Sequence, residues 1–182
     1  MLRPAVFLDR DGVINEDIGY LHRIEQFRFT PGALQAARQL YDMGYALVVV
    51  TNQSGIARGF YTEADFQRLT EWMSEQFRAA GAPLTAVYHC PHPPAADDGE
   101  RCDCRKPLPG MLLKAATEHQ LDLGRSVMVG DKEDDVRAGR NAAVQLAVRI
   151  GPATTETEAD ALLESLAQLP LWLGQQPLPS PN

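Results

Sequence analysis

The chain has 182 residues, of which 45% are apolar and 23% charged, enough to bury one core and to form one domain rather than two. Seventeen Lys and Arg against 24 Asp and Glu leave a net charge of −7, the wrong sign for gripping a nucleic-acid backbone. No run approaches the ~20 apolar residues of a membrane span, and residues 1–4 lead straight into AVFLD without the basic and apolar regions of a signal peptide. The expectation is a cytoplasmic protein with a small-molecule substrate and neither a nucleic-acid nor a membrane partner. The pattern carries no large apolar patch, so a monomer is expected.

In chain order, short apolar runs rich in β-branched residues predict buried strands at 5–8, 46–50, 86–89, 126–129 and 144–148. Helical stretches lie between them. The first, 31–43, opens with Pro-Gly and ends before Gly44; the second, 62–80, has Thr62 as N-cap and Asp65 three residues on; others are expected at 109–119, 132–140 and 156–169. The last segment, 173–182, has too little apolar surface to fold and reads as a disordered tail to a single domain spanning 1–172. The order β-α-β-α-β-loop-α-β-α-β implies an α/β fold with a doubly wound, mostly parallel, Rossmann-like sheet whose ligands sit at the carboxyl ends of the strands.

Acidic and small polar residues collect at those ends. Strand one runs into Asp9-Arg10-Asp11-Gly12, and two carboxylates so close repel unless a cation such as Mg²⁺ relieves them; an Asp-rich turn is the bland alternative. Strand four delivers Asp131, with Asp134 and Asp135 in the next helical turn, so three acids can face one ion. Strand two ends in Thr51-Asn52-Gln53-Ser54-Gly55, where a hydroxyl and free backbone N–H groups could hold phosphate oxygens, or Thr51 could simply cap the next element. Arg105-Lys106-Pro107 then brings cations just before the 109–119 helix.

All three cysteines fall within 90–104. An odd, clustered set is unlike a secreted disulfide framework, and Cys90-Pro-His92 with Cys102-Asp-Cys104 supplies the Cys₃His donors of a closed structural Zn²⁺ site. His89 is expected to belong to the strand end instead. Zinc here would order a Pro- and Asp-rich loop that leads directly into Arg105 and Lys106.

Taken jointly, Asp9-x-Asp11-Gly-Val, Thr51, Lys106 and Gly130-Asp131-x-x-x-Asp135 strongly resemble the four motifs of the haloacid dehalogenase-like (HAD) phosphohydrolase superfamily, in order over residues 9–135. The resemblance implies Asp9 as nucleophile, Asp11 as proton donor, Thr51, Asn52 and Lys106 as phosphoryl stabilisers, and Asp135 orienting the metal's surroundings. Mg²⁺ would be held by Asp9, the Asp11 carbonyl oxygen and Asp131. The interval from Asp9 to Thr51 is too short for an inserted cap domain, so the site should be open.

Asp17-Ile18-Gly19-Tyr20, the 51–59 stretch Thr-Asn-Gln-Ser-Gly-Ile-Ala-Arg-Gly and the cysteine loop are most similar to the bacterial heptose 1,7-bisphosphate 7-phosphatase family, over about residues 5–150. That likeness implies a Mg²⁺-dependent phosphatase acting at C7 in the synthesis of nucleotide-activated heptose for lipopolysaccharide core or surface glycans. It also implies a structural Zn²⁺ on Cys90, His92, Cys102 and Cys104. Its substrate contacts would fall on Asp17, Ile18, Gly19, Tyr20, Thr51, Asn52, Gln53, Ser54, Arg105, Lys106 and Lys132. The histidinol-phosphate phosphatases share the chemistry and are the alternative. A non-catalytic binding module on the same fold is set against by the presence of Asp9, Asp11 and Lys106.

Overall fold

The computed structural model describes residues 2–94 and 102–176. Residues 95–101 of the expected zinc loop and 177–182 of the expected tail lie outside the described residues. Six strands, β1 (Ala5–Leu8), β2 (Ala46–Asn52), β3 (Ala86–Cys90), β4 (Val127–Gly130), β5 (Leu146–Ile150) and β6 (Ala161–Leu163), form one sheet in the order β3-β2-β1-β4-β5-β6. Every neighbouring pair is parallel. Five helices accompany them: α1 (Ala33–Asp42), α2 (Glu63–Ala79), α3 (Gly110–His119), α4 (Glu133–Asn141) and α5 (Leu169–Gly174).

The strands are continuous apolar runs because helices cover both faces. Side chains alternate across the sheet. Val6, Leu8, Leu47, Val49 and Val129 point to one side, against Ala36 and Leu40 of α1, Leu69, Met73 and Phe77 of α2, and Leu169 of α5. Ala5, Phe7, Val48, Val50 and Met128 point to the other, against Met111, Leu112 and Ala115 of α3 and Ala138 of α4. β1 pairs with β2 on one side and β4 on the other, so the strand order reverses there and a crevice opens beyond their carboxyl ends. Between β1 and β2 the chain holds turns, one short 3₁₀ segment at Ile24–Gln26 and α1; no cap domain is inserted.

The expected strand at 126–129 forms one residue later and that at 144–148 two residues later, at the ends of their apolar runs. The helix expected over 156–169 does not form. Its polar residues are committed elsewhere: Glu133 of α4 accepts from Thr157 Oγ1 and from the Glu158 backbone N–H, Arg140 pairs with Asp160 at 2.9 Å, and Asp160 exchanges hydrogen bonds with Ala147 of β5. The following Ala161–Leu163 then adds an edge strand, and helical structure restarts with Pro170 in the first turn of α5. α5 runs to Gly174 with Leu173 buried, so packed chain continues past residue 172.

α2 carries the best-defined start in the chain. Thr62 Oγ1 accepts from the Asp65 N–H at 3.1 Å, while Asp65 Oδ2 accepts from the Thr62 N–H at 2.9 Å, a reciprocal capping box. Replacing Thr62 by Ala should lower the thermal midpoint by about 2–4 °C, read by far-UV circular dichroism, with the catalytic residues undisturbed.

Candidate active site

Asp9 leaves β1 with its N–H bonded to the Val129 carbonyl at 2.9 Å, which fixes it against β4. Lys106 is 2% exposed and its Nζ makes three contacts: Asp9 Oδ1 at 2.9 Å, Asp135 Oδ1 at 2.6 Å and the Val50 carbonyl at 2.8 Å. The Asn52 side chain grips the Lys106 backbone from both ends, accepting from its N–H and donating to its carbonyl, each at 3.1 Å. Asp135 Oδ2 accepts from the Lys132 N–H at 3.0 Å, so α4 begins around this carboxylate.

Two glycines make the close approach possible. A Cβ at Gly130 would lie 2.0 Å from the Asp135 Cβ, and at Gly12, whose φ is +85°, it would lie 2.4 Å from Asp131 Oδ2.

Burial pushes the Asp9 carboxyl up to about 8; Lys106 pulls it back, while Asp135 and Asp11 push it further. For Lys106 burial opposes the charge, but Asp135 and Asp9 more than offset it, and the ammonium is held above the ordinary lysine range. Asp131 is raised as well, chiefly by burial, and its Oδ1 is buried with no hydrogen-bond partner. Carboxylate oxygens of Asp9, Asp131 and Asp135 lie within 4.8 Å of one another. Three carboxyl groups that gather beside one ammonium, with one oxygen unpartnered, form an oxygen donor set that suits a hard divalent cation. The Asp11 carboxyl is outside this group and is held instead by Arg10, Asn15 and Gln53.

Cys90 ends β3, fully buried. Its Sγ lies 2.9 Å from Cys104 Sγ, 3.7 Å from Cys102 Sγ and 3.4 Å from His92 Nδ1, and Cys104 Sγ lies 3.3 Å from the same nitrogen. These four soft or borderline donors lie within 4.8 Å of one another and are the Cys₃His set that a structural Zn²⁺ takes. His89 takes no part: its Nε2 contacts Glu63 at 2.8 Å and its ring packs on Phe66. Arg105 Nη1 donates to the His92 carbonyl at 3.0 Å, tying the cysteine cluster to the site.

One cavity of about 260 Å³ is lined by Asp9, Asp11, Asp17, Gly19, Tyr20, Asn52, Gln53, Ser54, Arg105, Lys106 and Lys132, with Lys132 Nζ 3.8 Å from Asp17 at its mouth. Ile18 and Thr51 are not among the lining residues. Ile18 is 52% exposed, and buried Thr51 accepts from Gln53 Nε2 through its Oγ1. The side chain of Asn52 is committed to the Lys106 backbone. Arg10, Asn15 and Tyr61 belong to the site without having been singled out from sequence. For Arg10 a signal existed, since a cation between two acids straight after a buried strand must find its counter-charge locally; Asn15 and Tyr61 left none.

A family model described as HAD-hydrolase-like matches residues 103–169. The D-glycero-β-D-manno-heptose-1,7-bisphosphate 7-phosphatase of Yersinia pestis is 51% identical over 175 residues, covering 92% of this chain and 93% of that protein. That of Escherichia coli K12 is 50% identical over 185 residues, 97% of each. The crystal structure of D,D-heptose 1,7-bisphosphate phosphatase from B. bronchiseptica, complexed with magnesium and phosphate, superposes with a TM-score of 0.84 at 31% identity, covering 94% of this chain and 98% of that one. With half of its residues shared over nearly its whole length, the chain belongs to the D-glycero-D-manno-heptose 1,7-bisphosphate 7-phosphatase family of HAD-like hydrolases.

Proposed function

We propose that the chain removes the C7 phosphate of D-glycero-β-D-manno-heptose 1,7-bisphosphate by way of an aspartyl-phosphate. The observation that carries this reading is the near-full-length identity to relatives of that name, in a chain whose buried Asp9 and Lys106 open onto one cavity. The histidinol-phosphate alternative has no observation of its own in its favour.

In the first step an Asp9 carboxylate oxygen attacks phosphorus in line, the bond from phosphorus to the C7 oxygen breaks, and Asp11 gives that oxygen its proton. In the second, Asp11 takes a proton from water, the water oxygen attacks phosphorus, and phosphate leaves with Asp9 restored. Lys106 holds Asp9 in place and, with the Thr51 hydroxyl, meets the charge that builds on the equatorial oxygens. Asp9, Asp131 and the Asp11 carbonyl would hold Mg²⁺, with Asp135 beside it; when bound, the ion lowers the repulsion between nucleophile and phosphate. Cys90, His92, Cys102 and Cys104 would hold Zn²⁺ in a structural role.

A substrate with two phosphates needs a second anion clamp. Arg105 spends one N–H on the His92 carbonyl and keeps the rest of its fork for the C1 phosphate, with Lys132 across the mouth.

The test is kcat/KM for phosphate release from both heptose bisphosphate anomers and from histidinol phosphate, with Asp9→Asn as the inactive control. A preference of about a hundredfold for the β-anomer, ~2.7 kcal/mol at the transition state, is expected. A preference for histidinol phosphate, or substantial activity in folded Asp9→Asn, overturns the reading. Arg105→Ala should lose more on the bisphosphate than on p-nitrophenyl phosphate; equal losses exclude the clamp. Metal analysis should find zinc on the purified protein, and stripping it should lower turnover in the presence of excess Mg²⁺.

A further inference from the structure

We infer that Gln53, backed by Arg10, is a positioning residue that aims the Asp11 carboxyl at the leaving-group oxygen, and that its side chain is not a ligand of the substrate. The inference rests on the proposed role of Asp11 as proton donor.

Gln53 lines the cavity yet is only 3% exposed, and every polar atom of its side chain is spent. Nε2 has two hydrogens: one goes to Asp11 Oδ2 at 3.0 Å and the other to Thr51 Oγ1 at 2.9 Å. Oε1 accepts from the Tyr61 hydroxyl, and Arg10 Nη2, whose shorter contacts are to Asp11 and the Leu21 carbonyl, lies 3.4 Å away. Those two donors fix which end of the amide is which, so Nε2 must face Asp11. Neither amide hydrogen remains for a sugar or a phosphate oxygen. Because Thr51 Oγ1 already accepts from Gln53, its own O–H is free to point elsewhere.

Arg10 completes the cradle. It is 1% exposed, and its Nη2 lies 3.1 Å from each Asp11 oxygen while also donating to the Leu21 carbonyl at 2.9 Å. Asn15 Nδ2 adds a donor to Asp11 Oδ1 at 3.0 Å. Arg10 Nη2 and the Asp11 carboxyl pair at 3.1 Å, so the two side chains hold each other. Gln53 holds Oδ2 from the end of β2, while Arg10 reaches both oxygens and Asn15 reaches Oδ1, so the rotation of the carboxyl depends on all three donors. A misplacement of about 1 Å in such a group can cost on the order of a hundredfold in rate.

The consequence is chemical and selective. A proton donor matters when the leaving oxygen is basic, as in an alkyl phosphate, and little when it departs as a stable anion, as in p-nitrophenyl phosphate. The experiment compares kcat/KM for p-nitrophenyl phosphate, phenyl phosphate and ethyl phosphate in the wild type, Asp11→Asn, Gln53→Leu and Gln53→Asn, with circular dichroism to establish folding. Asp11→Asn is expected to lose on the order of a hundredfold more on ethyl than on p-nitrophenyl phosphate. Gln53→Leu should show the same slope in milder form, roughly tenfold more loss on ethyl phosphate, with KM changed less than about twofold. Gln53→Asn, which keeps a buried amide but withdraws it, should follow the same pattern if the Leu variant does not fold. A raised KM with equal losses across the series makes Gln53 a substrate ligand and overturns the inference, as does wild-type behaviour. A steep series in Asp11→Asn beside a flat one in the Gln53 variants overturns the inference alone; a flat series in Asp11→Asn overturns the proton-donor assignment, and the inference falls with it.

Discussion

One ammonium group organises the site. Lys106 Nζ sits, out of solvent, between Asp9 and Asp135, with the Val50 carbonyl as its third partner. Burying an ammonium with two carboxyl groups is expensive, and removing one member of such a set typically costs about 3–5 kcal/mol because the others are left uncompensated. The arrangement therefore locks the carboxyl ends of β1 and β2 and the start of α4 into one relative placement. It also leaves the cluster short of positive charge: Asp131 brings a further carboxylate with an unpartnered buried oxygen. The same shortage that would destabilise an empty core is what makes the location attractive to a divalent cation.

Lys106 reaches this position through supports outside the cluster. Asn52, the last residue of β2, clamps its backbone on both sides. Two residues upstream, Cys104 belongs to the Cys₃His group anchored at the end of β3 by Cys90, and Arg105 between them bonds to the His92 carbonyl. The strand ends, the cysteine cluster and the two cations thus form one mechanical unit.

Much of this was legible in the chain itself. Strands buried on both faces must be unbroken apolar runs, so the runs at 5–8, 46–50 and 126–129 stand out, and the residues that follow them are the ones that face the crevice. The cysteine spacing was equally plain as a donor set, although Cys90 itself lies in the core at the end of β3 and Cys102 and Cys104 pack against that core. The C-terminal segment misled for a related reason: residues 156–169 have helix-compatible composition, but Glu133, Arg140 and Ala147 claim their polar groups, and those partners are distant in sequence.

By itself the sequence determined which residue types stand at the strand ends, in what order, and hence the α/β fold, the acidic and basic members of the site and the four metal-type donors. Local patterning suffices for these, since period, apolar run length and donor spacing are properties of neighbouring residues. Only the tertiary structure decided how the side chains divide their hydrogen bonds: that Asn52 serves Lys106, that Gln53 serves Asp11 and Thr51 rather than the cavity, and that Arg10 turns inward. A side-chain amide or guanidinium has several possible partners, and which it meets is set by strands and loops brought together from tens of residues away.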